Sequence, residues 1–131
     1  QEYFENQVAP HLDADIQYIS HVTQDQLSTI AANASAYFVT AIWEEPFGLS
    51  TVEMLASGLP VVGFETAIPP ELRNENVCIA VGSQNWKDLA EPLEEVKNVD
   101  SQACRDFAAS FDVKKTVAEY VKVYHKIMKH Q

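Results

Sequence analysis

Short runs rich in β-branched and aromatic residues punctuate the chain at "IQYI" (16–19), "AYFVT" (36–40), "PVVGF" (60–64) and "NVCIAV" (76–81), and each predicts a strand. Helical patterns fill the intervals. "TQDQLSTIAANA" (23–34) has a Thr cap, an early Asp, and Leu27, Ile30 and Ala31 at helical spacing. A second helix runs from about Leu49 to Ser57 and stops at Gly58. "SQNWKDLAEPLEEVKN" (83–98) predicts a capped helix bent or interrupted at Pro92, with Trp86 as its apolar anchor. Two more helices follow, 101–111 and 112–130. The last sets Val113, Val117, Tyr120, Val121, Tyr124 and Ile127 along one face, expected to dock on a sheet.

Strands apolar throughout, alternating with helices over short connections, imply an α/β fold: a Rossmann-like parallel sheet with helices on both faces. No repeat, linker or low-complexity segment divides the chain, so residues 1–131 are read as one domain. Ligands of such sheets bind outside the carboxyl ends of the strands. The loop 40–48 is therefore the first place to look for chemistry.

Charge narrows the choice of partner more than composition does. The net charge of −10 lies entirely in the first half: residues 1–72 hold ten acids and no Lys or Arg, whereas residues 73–131 hold all nine Lys and Arg against nine acids. Nucleic acid is excluded as a partner, because its binding depends on cations displacing counterions from phosphates. No apolar run approaches a transmembrane segment and the first residues lack the pattern of a secretory leader, so the expectation is a soluble, cytoplasmic protein. Cys78 and Cys104 are too few for a disulfide framework and are expected to be buried free thiols. His11, His21, His125 and His130 share no ligand spacing, and no metal site is predicted.

The stretch "WEEPFGLSTVEMLASGLPVV" (43–62) carries the candidate chemistry. A helix beginning just after Gly48 offers unpaired backbone N–H groups and a partial positive charge, and glycine lets a ligand approach the main chain. Glu53, in the second turn, is an acceptor able to take two hydroxyls at once, as a ribose presents them. Glu45 approaches the same space from the strand side. On spacing alone, the reading of Glu53 as an exposed helix residue and Glu45 as a favourable acid ahead of a helix stands equally well. Trp43 is read as packing at a strand end rather than as a pocket wall.

The same stretch resembles the signature of the retaining, nucleotide-sugar-dependent glycosyltransferases of GT-B fold, the group typified by glycogen synthase and the mannosyltransferases. Glu45, Phe47, Gly48, Glu53, Ala56, Gly58, Pro60, Val61 and Val62 fit that pattern, with Met54 and Leu55 where Ala-Met is more usual. The likeness covers nearly the whole chain, strongly over 36–63 and loosely after 85. It implies a C-terminal donor-binding domain that transfers a hexose from a nucleoside-diphosphate sugar with retention, needing no cofactor or metal. Glu53 would hold the ribose hydroxyls and Glu45, as the catalytic carboxylate, would face hydroxyls of the transferred sugar. The main chain at Phe47, Gly48 and Leu49 would line the sugar and diphosphate, with donors added by Ser50 and Thr51. His21, in place of a common Gly, and Val22 would line the nucleobase. Glu71 stands where the group often carries an acid.

The group clamps the diphosphate with an Arg and a Lys ahead of the stretch seen here, and holds its carbohydrate or lipid acceptor on a separate N-terminal domain. A helix N-terminus alone contributes typically ~0.3–1 kcal/mol and up to ~2. The resemblance places 16–19, 36–39, 60–63 and 77–81 as the third to sixth strands of an order 3-2-1-4-5-6, with the first two strands lacking. The expectation is thus a polypeptide that begins upstream of Gln1, or a sheet completed by a partner, by self-association at its open edge, or by direct pairing of 16–19 with 36–39. Residues 1–131 alone would bind donor weakly and transfer nothing. The alternative reading is a non-catalytic nucleotide-sugar or phosphosugar binding module, and a third is an interaction domain that uses only the fold.

Overall fold

The computed structural model describes residues 1–82 and 84–129. Three parallel strands form its sheet in the order β1 (Tyr37–Val39), β2 (Val61–Phe64), β3 (Cys78–Val81). The register pairs Phe38 with Val62 and Val62 with Ile79. Successive side chains of a strand point to opposite faces, and β2 shows the result. Val61 joins one core cluster with Cys78, Ala31, Leu55, Cys104 and Ala108. Val62 and Phe64 join another with Ala67, Leu89 and Val96. On the first face lie α1 (Gln24–Asn33), α2 (Leu49–Ala56) and α4 (Ser101–Ala108). On the second lies the segment leading into the single helical turn α3 (Leu93–Val96). Helices on both faces of a parallel sheet are what the apolar, non-alternating strands imply.

Local chemistry explains where the helices start and stop. Thr23 and Gln26 form a reciprocal capping box on α1: the Gln26 amide N–H donates to Thr23 Oγ1 at 3.4 Å, and the Thr23 N–H donates to Gln26 Oε1 at 2.8 Å. Asp100 and Asp112 cap α4 and α5 (Val113–Met128) by accepting from Gln102 and Lys114 N–H groups. At the end of α2, Gly58 takes φ of +91°, a left-handed conformation that residues with a Cβ rarely adopt. Glycine alone fits that helix stop.

Four sequence expectations require correction. The strand expected at 16–19 does not form, and neither does its pairing with 36–39: Ile16, Tyr18 and Ile19 are exposed in irregular backbone. The Asp13 carboxylate accepts from the N–H groups of Asp15 and Ile16, and the Asp13 N–H donates to the Ile16 carbonyl, so this loop closes on itself instead of joining the ladder. Tyr18 instead packs on Phe4, ring centroids 4.6 Å apart. The helix expected over 83–98 is reduced to turns and α3. Asn85 draws the Lys87 N–H into a local turn and Pro92 has no N–H to continue a helix, while the expected start at Ser83 lies outside the described residues. Trp86 is accordingly no anchor; it is exposed with the Lys87 ammonium over its ring. Finally, α5 forms but its whole apolar stripe faces solvent, and it is not docked on the sheet among the described residues. His130 lies outside the described residues.

Candidate functional site

The chain leaving β1 and the chain leaving β2 meet at the carboxyl end of the sheet. Two hydrogen bonds tie them: the Glu45 N–H donates to the Thr66 carbonyl at 2.9 Å, and Thr66 Oγ1 donates to the Ala41 carbonyl at 3.1 Å. Between them opens a cleft of about 530 Å³ whose polar lining includes four carboxylates, Glu44, Glu45, Glu65 and Glu71, and the guanidinium of Arg73. Prolines 46, 69 and 70 stiffen its walls.

Each nitrogen of the Arg73 head donates one hydrogen bond. Its Nη1 donates to Glu65 Oε1 at 3.2 Å, Nη2 to the Glu65 carbonyl at 3.1 Å, and Nε to the Ile68 carbonyl at 3.1 Å. The guanidinium therefore braces the turn after β2 and neutralises one acid of the cleft. Sequence reasoning missed both Arg73 and Glu65. The available signal was that Arg73 is the first cation of the chain and follows the rigid "IPPEL" turn.

Glu45 is half-buried at the mouth of this cleft, and its chain carries directly into the start of α2. Gly48, at φ +78°, is the N-terminal flank of that helix, and no side chain caps the helix there. The first amides of α2 are thus without an intrahelical partner. A Cβ on Gly48 would meet Glu45 Cγ at 3.7 Å, Thr51 Oγ1 at 3.4 Å and Leu72 Cδ1 at 3.4 Å, so Glu45 and the helix start are direct neighbours. Thr51 is fully buried, and its hydroxyl has no hydrogen-bond partner among the described residues.

The remaining predicted positions fall as follows. Phe47 stacks edge-on against Phe111, centroids 6.0 Å apart, which fastens the loop to the end of α4. Leu49 and Ser50 are exposed in the first turn of α2, and Glu53 is exposed in its second turn, outside the cleft lining. His21 is exposed ahead of α1, and Val22 lines a different cleft with Ile19, Asp25 and Ile30. The structure therefore brings Glu45, Gly48 and Thr51 together and leaves His21 and Val22 elsewhere. Trp43, read as packing, is instead exposed.

Both cysteines are buried and free. Burial, reinforced by the charge of Cys104, pushes the Cys78 thiol up to about 12, and burial also raises Cys104. Neither is a nucleophile at neutral pH. No group of three or more His, Cys, Asp or Glu among the described residues is arranged to hold a metal ion, and no described helix is long and apolar enough to cross a membrane.

A carboxylate-rich cleft beside an uncapped helix start suits a polyhydroxylated ligand: carboxylates accept from hydroxyls, and the helix amides donate to an oxyanion. No curated protein matches the chain. The family model for glycosyl transferases group 1 matches residues 2–110, and the chain belongs to that family.

Proposed function

We propose that this domain binds a nucleoside-diphosphate sugar and serves its transfer to an acceptor with retention of configuration, within a GT-B architecture. The observation that carries the reading is the closeness of Glu45 to Gly48, with Glu45 Cγ 3.7 Å from where a Gly48 Cβ would stand. It sets an acceptor for sugar hydroxyls directly beside the open amides of α2, at the carboxyl end of the parallel sheet. In this reading the diphosphate lies over the amides of Leu49, Ser50 and Thr51, with the hydroxyls of Ser50 and Thr51 as further donors. Glu53 accepts from the ribose and Glu45 from the hydroxyls of the moving sugar. As the glycosidic bond breaks, positive charge develops at the anomeric carbon and negative charge on the departing diphosphate. Glu45 is placed to favour the first, and the helix start the second.

Two substitutions separate these roles. Glu53→Ala leaves two ribose hydroxyls without a charged acceptor, and nucleoside-diphosphate affinity measured by calorimetry falls by about 1.5–3 kcal/mol. Glu45→Gln leaves nucleotide affinity intact but lowers transfer in the protein that carries this domain, because its partners belong to the sugar that moves. Unchanged nucleotide affinity in Glu53→Ala overturns the ribose assignment. Equal loss of binding and transfer in Glu45→Gln overturns the division of labour. A panel of UDP, GDP and ADP sugars in the same calorimeter identifies the base and sugar.

A further inference from the structure

The cleft at the carboxyl end of the sheet is unbalanced in charge. Glu44, Glu45, Glu65 and Glu71 line it against one guanidinium, that of Arg73, so four carboxylates less one cation leave a formal charge of −3. Arg73 is paired with Glu65, and the surplus rests on Glu44, Glu45 and Glu71. None of those three carboxylates has an ion pair or a hydrogen bond among the described residues. Nor are they gathered around a shared cation: no three acids among the described residues are arranged to hold one.

The size of the cleft makes that surplus felt throughout it. A volume of about 530 Å³ is that of a sphere about 10 Å across, one Debye length at 0.1 M salt, so a charge anywhere inside lies within range of every wall. In the proposed function Glu45 accepts from hydroxyls of the moving sugar, and the diphosphate lies over the amides of α2. It is therefore the glycosyl group that enters this field. A sugar hydroxyl finds an acceptor there, whereas a sugar carboxylate brings no donor and meets like charge.

We infer, resting on that proposed function, that the cleft selects its donor by charge: it takes a glycosyl group without an acid function and rejects uronic acids, with Glu44 and Glu71 as specificity-determining residues. Both side chains are exposed on the cleft wall and make no bond that their loss would break. The diphosphate is common to every donor, so its own repulsion from the acids cancels when two glycosyl groups are compared. Arg73 is the one group that favours a uronate. Beyond the three hydrogen bonds it makes, two of its N–H groups remain, but its charge is already set against Glu65.

Chemical-shift titration of the 131-residue chain, which reads dissociation constants into the millimolar range, tests the inference with donors that differ only at C6. Glucose is set against glucuronate on UDP and on ADP, and mannose against mannuronate on GDP. On the base that the protein prefers, the neutral sugar binds about tenfold more tightly than the uronate at low salt, and the ratio shrinks as ionic strength rises. The C6 amide of the uronate, neutral and of the same shape, binds like the hexose and so separates charge from size. Glu44→Gln and Glu71→Gln each lower the ratio about two- to threefold, and the double variant brings it close to one. Equal affinity for hexose and uronate overturns the inference, and so does tighter binding of the uronate, the signature of capture by Arg73. A gap that the amide shares, or one that neither substitution moves, also overturns it. Each of those outcomes leaves nucleotide-sugar binding itself standing. Failure of every nucleotide sugar to bind overturns the proposed function, and this inference falls with it.

Discussion

Gly63 of β2 pairs with Val39 of β1, and its replacement by alanine tests how tightly the sheet positions the cleft. A Cβ at that position would lie 2.6 Å from the Val39 carbonyl oxygen and 3.0 Å from both Val39 Cβ and Ile68 Cδ1. Val39 is the register partner of Gly63, and Ile68 is fully buried, so neither neighbour yields freely. Ordinary carbon–oxygen contacts between strands are about 3.3–3.6 Å, so β1 must retreat by roughly 0.7 Å or more. Overpacking of this kind typically costs about 1–3 kcal/mol, and a backbone obstacle places it at the upper end. The lower entropy of the unfolded alanine chain offsets about 0.4–1 kcal/mol, leaving a net loss of about 2 kcal/mol. With a urea slope of about 1–3 kcal/mol/M, the unfolding midpoint falls by about 1 M. Gly82→Ala is the control, since a Cβ there meets only Glu65, no closer than 3.7 Å. Because β1 carries the loop to Glu45, Gly63→Ala also lowers donor-sugar affinity under conditions where the domain is still folded. A midpoint for Gly63→Ala no lower than that for Gly82→Ala refutes the reasoning.

Three further outcomes follow from the same geometry. Thr51→Val removes a buried hydroxyl that has no partner among the described residues, so urea unfolding should show a gain of about 1 kcal/mol; a loss sinks that reading. The same variant binds the nucleoside diphosphate more weakly in calorimetry, because that hydroxyl is one of the proposed donors. Thr23→Ala breaks the capping box of α1 and costs about 1 kcal/mol by the same urea titration, whereas no change means that the start of α1 is held otherwise. Burial raises the Cys78 thiol from its ordinary 9.0 to about 12, so the folded state favours the neutral thiol and the unfolded state releases the proton first. That contribution to stability is complete below about pH 9 and is lost as pH rises toward 12. Urea midpoints that stay flat over this range in the wild type, or that fall equally in Cys78→Ala, count against it.

The strands at 36–40, 60–64 and 76–81 and the capped helix after Thr23 were legible because their signals are local: apolar runs of strand length and a side chain that satisfies a helix start. The parallel arrangement of these strands followed from those runs and the short helical connections, and their order from the resemblance. The run at 16–19 misled for a physical reason. A strand exists only in its ladder, and here the Asp15 and Ile16 amides donate to Asp13 instead. The face of α5 was read correctly as a stripe, but periodicity says only that a face is apolar and not what covers it. That Glu45 and Gly48 stand just ahead of α2 was legible in the sequence, while their candidate roles came from the resemblance. Arg73 and Glu65 were not, because they reach the cleft from the turn after β2, more than fifteen residues further along the chain.

The way the cleft is built decides how cleanly its chemistry can be dissected. The positions of Glu45 and of the α2 amides are set by main-chain bonds, by the left-handed turn at Gly48 and by the Phe47–Phe111 contact. The carboxylates of Glu45 and Glu53 themselves have no hydrogen-bond partner among the described residues. A carboxylate that braces a fold is satisfied by that fold, as Glu65 is by Arg73. One whose oxygens stay open to solvent is free to meet the proposed ligand. At the exposed Glu53, removing such oxygens changes stability by no more than about 0.5 kcal/mol, and Glu45→Gln keeps the shape of the half-buried side chain. Loss of binding in Glu45 and Glu53 variants therefore reports on the ligand rather than on unfolding. Removing the Arg73 guanidinium, in contrast, leaves two backbone carbonyls and a carboxylate unpaired, and disturbs both stability and binding.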